Sequence, residues 1–118
     1  MNSPLALIVE DDYDLSQIFA KALQAVDFET HIVRSGDAAL QWLDSTAPDV
    51  VILDLHLPKV SGPEILQQIR SRPQLRNTRV IVTTADPRTA ESVQSQADLT
   101  LIKPISFTQL RDLASRLR

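Results

Sequence analysis

Asp49-Val50-Val51-Ile52-Leu53-Asp54 sets four aliphatic residues in a row between two carboxylates. Continuous apolarity, without the alternation of a half-exposed strand, marks a strand buried on both faces, as in a parallel sheet covered by helices. A second such run, Leu5-Ala6-Leu7-Ile8-Val9, lies upstream and stops at Glu10-Asp11-Asp12. Behind it Leu15, Ile18, Phe19, Ala22, Leu23 and Val26, spaced three and four apart, predict one apolar helix face. The three acids therefore stand at a strand-to-helix junction.

The same unit recurs outward from these runs. Phe28 to Val33 reads as a strand with partial alternation, suited to a sheet edge, and Asp37 to Leu43 as a helix with Ala39, Trp42 and Leu43 inward. Gly62 and Pro63 punctuate a loop and open a helix whose apolar face is Ile65, Leu66 and Ile69, and which ends before Pro73. Val80-Ile81-Val82 is a short strand, Arg88 to Gln96 a weak helix, and Leu99 to Ile102 a last strand. Phe107, Leu110, Leu113, Ala114 and Leu117 predict a closing amphipathic helix. Strand and helix alternate five times, which implies an α/β fold: a doubly wound, five-stranded parallel sheet with helices on both faces. Right-handed crossovers leave few topologies, and ligands in such folds bind beyond the carboxyl ends of the strands.

The rest of the composition narrows the function. At 118 residues the chain is expected to be one domain, 1–118, large enough for a real core. Twelve Lys and Arg against fifteen Asp and Glu give a net charge of −3, which argues against direct nucleic-acid binding. No cysteine is present, which removes disulfides and thiolate metal sites and suits a cytoplasmic setting. No apolar run approaches the roughly 20 residues of a membrane helix, and Met1-Asn2-Ser3-Pro4 lacks the features of a signal peptide.

Chemistry is concentrated at the strand ends. Glu10, Asp11 and Asp12 follow the first strand, Asp54 the third, Thr83 and Thr84 the fourth, and Lys103-Pro104 the fifth. Side by side, these ends would bring carboxylates, a hydroxyl and an ammonium into one cleft. Clustered carboxylates call for a cation, and oxygen ligands suit Mg2+, which completes its shell with water and phosphate. A carboxylate can also act as nucleophile and form an aspartyl phosphate. Phosphoryl transfer then needs chiefly positioning and neutralisation of charge on three oxygens. Neither His31 nor His56 is placed as a general base for such a site.

These elements together resemble the receiver domain of response regulators. The motifs are Leu7-Ile8-Val9-Glu10-Asp11-Asp12, Val51-Ile52-Leu53-Asp54-Leu55-His56-Leu57-Pro58 with Gly62, Thr84-Ala85, and Lys103-Pro104, in order and across nearly the whole chain. The resemblance implies a flavodoxin-like (βα)5 fold of strand order 2-1-3-4-5. It implies that Asp54 accepts a phosphoryl group from a sensor histidine kinase or a histidine phosphotransfer protein. Asp11 would bind Mg2+ directly with Asp54, Glu10 would help through water, and the His56 carbonyl would be a further ligand. Lys103 would pair with phosphoryl oxygens, Thr84 would hydrogen-bond them, and the Lys103-Pro104 peptide would be cis. Such a domain is a phosphoacceptor switch acting on a downstream effector or output domain, not a metabolic enzyme. The second reading is a phosphate-independent interaction module of the same shape.

Other residues have plainer readings. Asp12 and Asp14 suit the cap and first turn of a helix. Trp42 reads as partial core, His31 as an exposed strand residue, and Arg70, Arg72, Arg76 and Arg79 as a solvated basic face. His56 and Asp86 lie two positions past Asp54 and Thr84, where the family's side chains flank the phosphoryl group. Two departures from the family stand out. Thr100 replaces the usual aromatic residue three before the lysine, so a relay through that ring cannot operate. The stretch from Ala85 to Lys103 is about one helical turn short. Output is therefore expected to use the first or last helix.

Overall fold

The computed structural model describes residues 3–118; Met1 and Asn2, half of the stretch read for a signal peptide, lie outside the described residues. The chain runs β1 (Leu5–Val9), α1 (Tyr13–Gln24), β2 (Glu29–Val33), α2 (Gly36–Leu43), β3 (Val50–Asp54) and α3 (Gly62–Ser71). A 3₁₀ turn (Pro73–Leu75), β4 (Arg79–Thr84), α4 (Pro87–Val93), β5 (Leu99–Ile102) and α5 (Phe107–Ser115) follow. All strand pairs are parallel, in the order β2-β1-β3-β4-β5. The expected fold and strand order are both found, with the half-exposed β2 at one edge.

Strand alternation divides the interior in two. Leu7, Val9, Val51, Leu53, Val80 and Val82 face Ala39 and Leu43 of α2, Ile65, Leu66 and Ile69 of α3, and Val93 of α4. Ala6, Ile8, Val50, Ile52 and Ile81 face Phe19, Ala22 and Leu23 of α1 and Leu110 and Ala114 of α5. The sheet is thus apolar on both sides, which is why β1 and β3 show no alternation in sequence.

Each helix begins at an Asp or Ser whose side chain accepts a first-turn backbone N–H: Asp12, Ser35, Ser61, Asp86 and Ser106. Such caps fix where each crossover ends. Asp12 is therefore a cap, as expected, with Asp14 in the first turn. Trp42 is half-buried against the core, and its ring stacks on exposed His31.

Three details differ from expectation. Ile18 is 40% exposed. The buried arc of α1 runs through Ser16, Phe19, Ala20 and Leu23, and Ile18 lies about 100° off Phe19. Helix α4 spans Pro87–Val93 rather than Arg88 to Gln96, because the Asp86 cap and Pro87 set its start one residue earlier and the helix ends at Val93. Arg70 and Arg72 do not belong to a freely solvated basic face. Arg70 donates to the Gln96 carbonyl (2.7 Å), the Thr78 carbonyl (3.0 Å) and Asp98 (2.8 Å), and Arg72 pairs with Asp44 at 2.8 Å. Among the described residues no helix is long and apolar enough to cross a membrane.

Candidate functional site

The acids and the lysine are delivered by the carboxyl ends of four adjacent or near-adjacent strand positions. Glu10 directly follows β1, Asp54 ends β3, Thr84 ends β4 and Lys103 directly follows β5. Backbone hydrogen bonds continue the sheet past the strand ends: Glu10 N–H donates to Val33 (3.1 Å), Leu55 N–H to Thr83 (3.0 Å) and Lys103 N–H to Thr84 (2.8 Å). The site therefore inherits the rigidity of the sheet rather than that of a loop. The Lys103-Pro104 peptide is cis, as the resemblance implied.

Lys103 Nζ donates to Glu10 Oε1 at 3.0 Å and lies 3.5 Å from Asp54 Oδ2. The other Asp54 oxygen accepts the His56 N–H at 3.1 Å, and the other Glu10 oxygen accepts the Asp12 N–H at 3.2 Å. Glu10 and Asp54 are almost fully buried, while Asp11 is exposed. One carboxylate oxygen from each of Glu10, Asp11 and Asp54 lies within 4.8 Å of the others. An all-oxygen set of that charge and compactness fits a magnesium ion better than a softer metal.

The electrostatics follow from this crowding. Burial pushes the Glu10 carboxyl up to about 7, against the Asp12 N–H; the Asp54 charge adds to the rise and Lys103 opposes it. For Lys103, burial works to lower its pKa, but the hydrogen bond to Glu10 and the charges of Asp54 and Glu10 outweigh it, and the net shift is upward. The ammonium is held charged between two carboxylates.

The other side of the site is built on Thr84. Its buried hydroxyl accepts the Asp86 N–H at 3.0 Å and lies 3.1 Å from His56 Nε2. His56 thus touches both the Asp54 carboxylate, through its backbone, and Thr84, through its ring. Asp86 caps α4 while its N–H holds Thr84. Two close approaches hold the β3–α3 loop. A Cβ on Gly62 would collide with the backbone of Leu55 and Asp54, and one on Gly36 with Val60. All six residues expected at the site, Glu10, Asp11, Asp54, His56, Thr84 and Lys103, meet at this end of the sheet. The ring bond between His56 and Thr84 was not legible in the sequence. Nor was the state of Thr83, whose buried hydroxyl has no partner among the described residues.

Residues 6–115 match the family model described as response regulator receiver domain. The chain is 36% identical over 110 residues to the phosphate regulon transcriptional regulatory protein PhoB of Rhizobium meliloti, covering 91% of this chain and 48% of that protein. It thus spans about half the length of that relative. In structure it is similar to the chemotaxis response regulator CheY4 of Vibrio cholerae (TM-score 0.90, 23% identity, 99% of this chain and 100% of that one). It is also similar to the receiver domain of the sensor histidine kinase PA1611 of Pseudomonas aeruginosa, solved with magnesium in its active-site cleft (TM-score 0.86, 21% identity, 98% and 97%).

Proposed function

The chain belongs to the response regulator receiver domain family, and from that premise we propose that Asp54 is the residue that accepts the phosphoryl group. Receiver domains are the phosphoacceptor signalling units of two-component systems, and that is the role of this chain. One observation carries the assignment of Asp54. It is a buried carboxylate at the end of a central strand, with Glu10 and Asp11 within 4.8 Å and the Lys103 ammonium at 3.5 Å.

In the proposed reaction an Asp54 oxygen attacks the phosphorus of a phosphohistidine on a sensor histidine kinase or histidine phosphotransfer protein. The P–N bond breaks, its electrons return to the imidazole, and an acyl phosphate forms. Lys103 neutralises charge on the transferred oxygens, and the Thr84 hydroxyl turns from His56 to donate to one of them. Glu10, Asp11, Asp54 and the His56 carbonyl are the groups proposed to hold Mg2+. When bound, the ion supplies charge neutralisation for the phosphoryl oxygens. The bond to the phosphoryl group is made and hydrolysed by the domain itself, with no metabolite as substrate. Residues 1–118 act as one receiver domain in the cytoplasm, speaking to an effector protein or output domain without direct contact to nucleic acid.

Intact mass after incubation with acetyl phosphate tests this. We expect a single phosphoryl increment in the parent with magnesium, and none in Asp54→Asn or in a magnesium-free sample. An increment that persists in Asp54→Asn would place the acceptor elsewhere. No increment in the parent with either acetyl phosphate or a phosphorylated kinase would move the chain to the phosphate-independent reading.

A further inference from the structure

The Thr83 hydroxyl, which has no partner among the described residues, belongs to the sheet end that Lys103 must cross to reach its two carboxylates. Side chains alternate along a strand, so residues two apart share a face. In β4, Ile81 belongs to the core beneath α1 and α5, and Thr83 therefore points to the same side. Val50 and Ile52 put Asp54 on that side of β3, Ile8 puts Glu10 on it beyond β1, and Leu99 and Leu101 put Lys103 on it beyond β5. The order β1-β3-β4-β5 makes these four residues a row: Glu10, Asp54, Thr83, Lys103. Thr83 pairs in register with Asp54 on one side and Leu101 on the other. Lys103 reaches Glu10 at 3.0 Å and Asp54 at 3.5 Å only by laying its side chain across β4.

At that crossing sits a threonine that is 1% exposed, with an oxygen that no described residue satisfies. Valine has the same shape and would fill the place without leaving a buried hydroxyl unmade, a cost that folded proteins rarely carry without reason. An ammonium offers three N–H donors and a hydroxyl has two acceptor positions. Here Lys103 has two carboxylate partners, which leaves one donor over.

We propose that Thr83 is a positioning residue for Lys103: its hydroxyl is the acceptor that the ammonium takes up when a phosphoryl group on Asp54 draws it away from Glu10. The inference rests on the reading of Asp54 as phosphoacceptor. In the phosphate-free state the lysine is held by Glu10 and the hydroxyl is idle. Once the phosphoryl oxygens recruit the ammonium, it shifts along the row away from β1, and Thr83 becomes its floor. A hydrogen bond to a charged donor is then gained only in the phosphorylated state, and it favours that state.

The test is a titration of the magnesium-loaded protein with beryllofluoride, a tetrahedral stand-in for a phosphoryl group on a carboxylate, read by fluorine NMR. Thr83→Val is expected to bind about tenfold more weakly than the parent, a loss of about 1.4 kcal/mol, while melting no lower than the parent in the free state. Thr83→Ser, which keeps the hydroxyl, is expected to bind like the parent. Equal affinity of parent and Thr83→Val overturns the proposal. So does a Thr83→Ser as weak as Thr83→Val, which assigns the effect to packing. A Thr83→Val that melts lower by the same amount with and without beryllofluoride does the same. If the parent itself takes up no beryllofluoride, the phosphoacceptor reading falls and Thr83 falls with it; if the parent binds and Thr83→Val matches it, only the role of Thr83 is lost.

Discussion

At the proposed metal site, Glu10 is where proton and cation would compete. Its folded-state pKa, raised to about 7 chiefly by burial, stands above the ordinary 4.5 of an unfolded glutamate. Between those values the folded protein keeps a proton that the unfolded chain has lost. Without metal, stability should therefore fall as pH climbs through that window and level off above it. Glu10→Gln, neutral throughout, should flatten this dependence. Thermal melts in chelator across the window check both; a parent that gains stability as pH rises there contradicts the assignment. The affinity for magnesium should rise over the same interval, since a ligand must give up its proton to bind. Glu10 could be found in the sequence because it ends an apolar run, and so could Asp54, Thr84 and Lys103. The His56–Thr84 bond could not, because it joins residues 28 apart in the chain and depends on how one loop folds over a strand. Thr83 was hidden for another reason: threonine is an ordinary strand former, and its interest lies in a hydrogen bond it lacks.

At the scale of elements, carboxylates do different work at the two ends of the sheet. At the amino end Asp49 accepts the Leu5 N–H and Asp98 accepts the Val80 N–H, both at 2.7 Å, so each stitches a neighbouring strand in place. At the carboxyl end Glu10, Asp11 and Asp54 instead bring their carboxylate oxygens within 4.8 Å of one another. The strands were legible because both sheet faces are buried, and the helices because their apolar residues recur three and four apart. The role of Arg70 was not, since its partners Gln96 and Asp98 come from the far side of α4. Helix α4 is seven residues long, and Thr100 beside it offers no ring to couple with Thr84. Helices α1 and α5 lie together on the opposite face. Phosphorylation is therefore expected to change amide exchange in α1 or α5. Changes confined to residues 85–102 in a hydrogen-exchange comparison of the phosphorylated and free protein would refute that.

As a whole, the molecule is a single sheet serving as the common wall of two cores. Leu66 lies fully buried on one side and Phe19 on the other. Truncating either to alanine is expected to cost about 3 to 4 kcal/mol, from lost burial and the cavity left behind. Because the wall is shared, each variant should still unfold in one transition, with calorimetric and van't Hoff enthalpies in agreement. Two separate transitions would mean that the faces are independent. The chain has only two glycines, and although 26 positions separate Gly36 from Gly62, both press on the segment that follows Asp54. That gives the segment an unusual place in the evolution and engineering of the chain. Surface loops elsewhere can drift, lengthen or accept a graft, whereas this one is gripped by the start of one helix at Gly36 and of the next at Gly62. A lineage that exchanges either glycine must remodel the stretch beside Asp54, so novelty in this protein should accumulate anywhere but there.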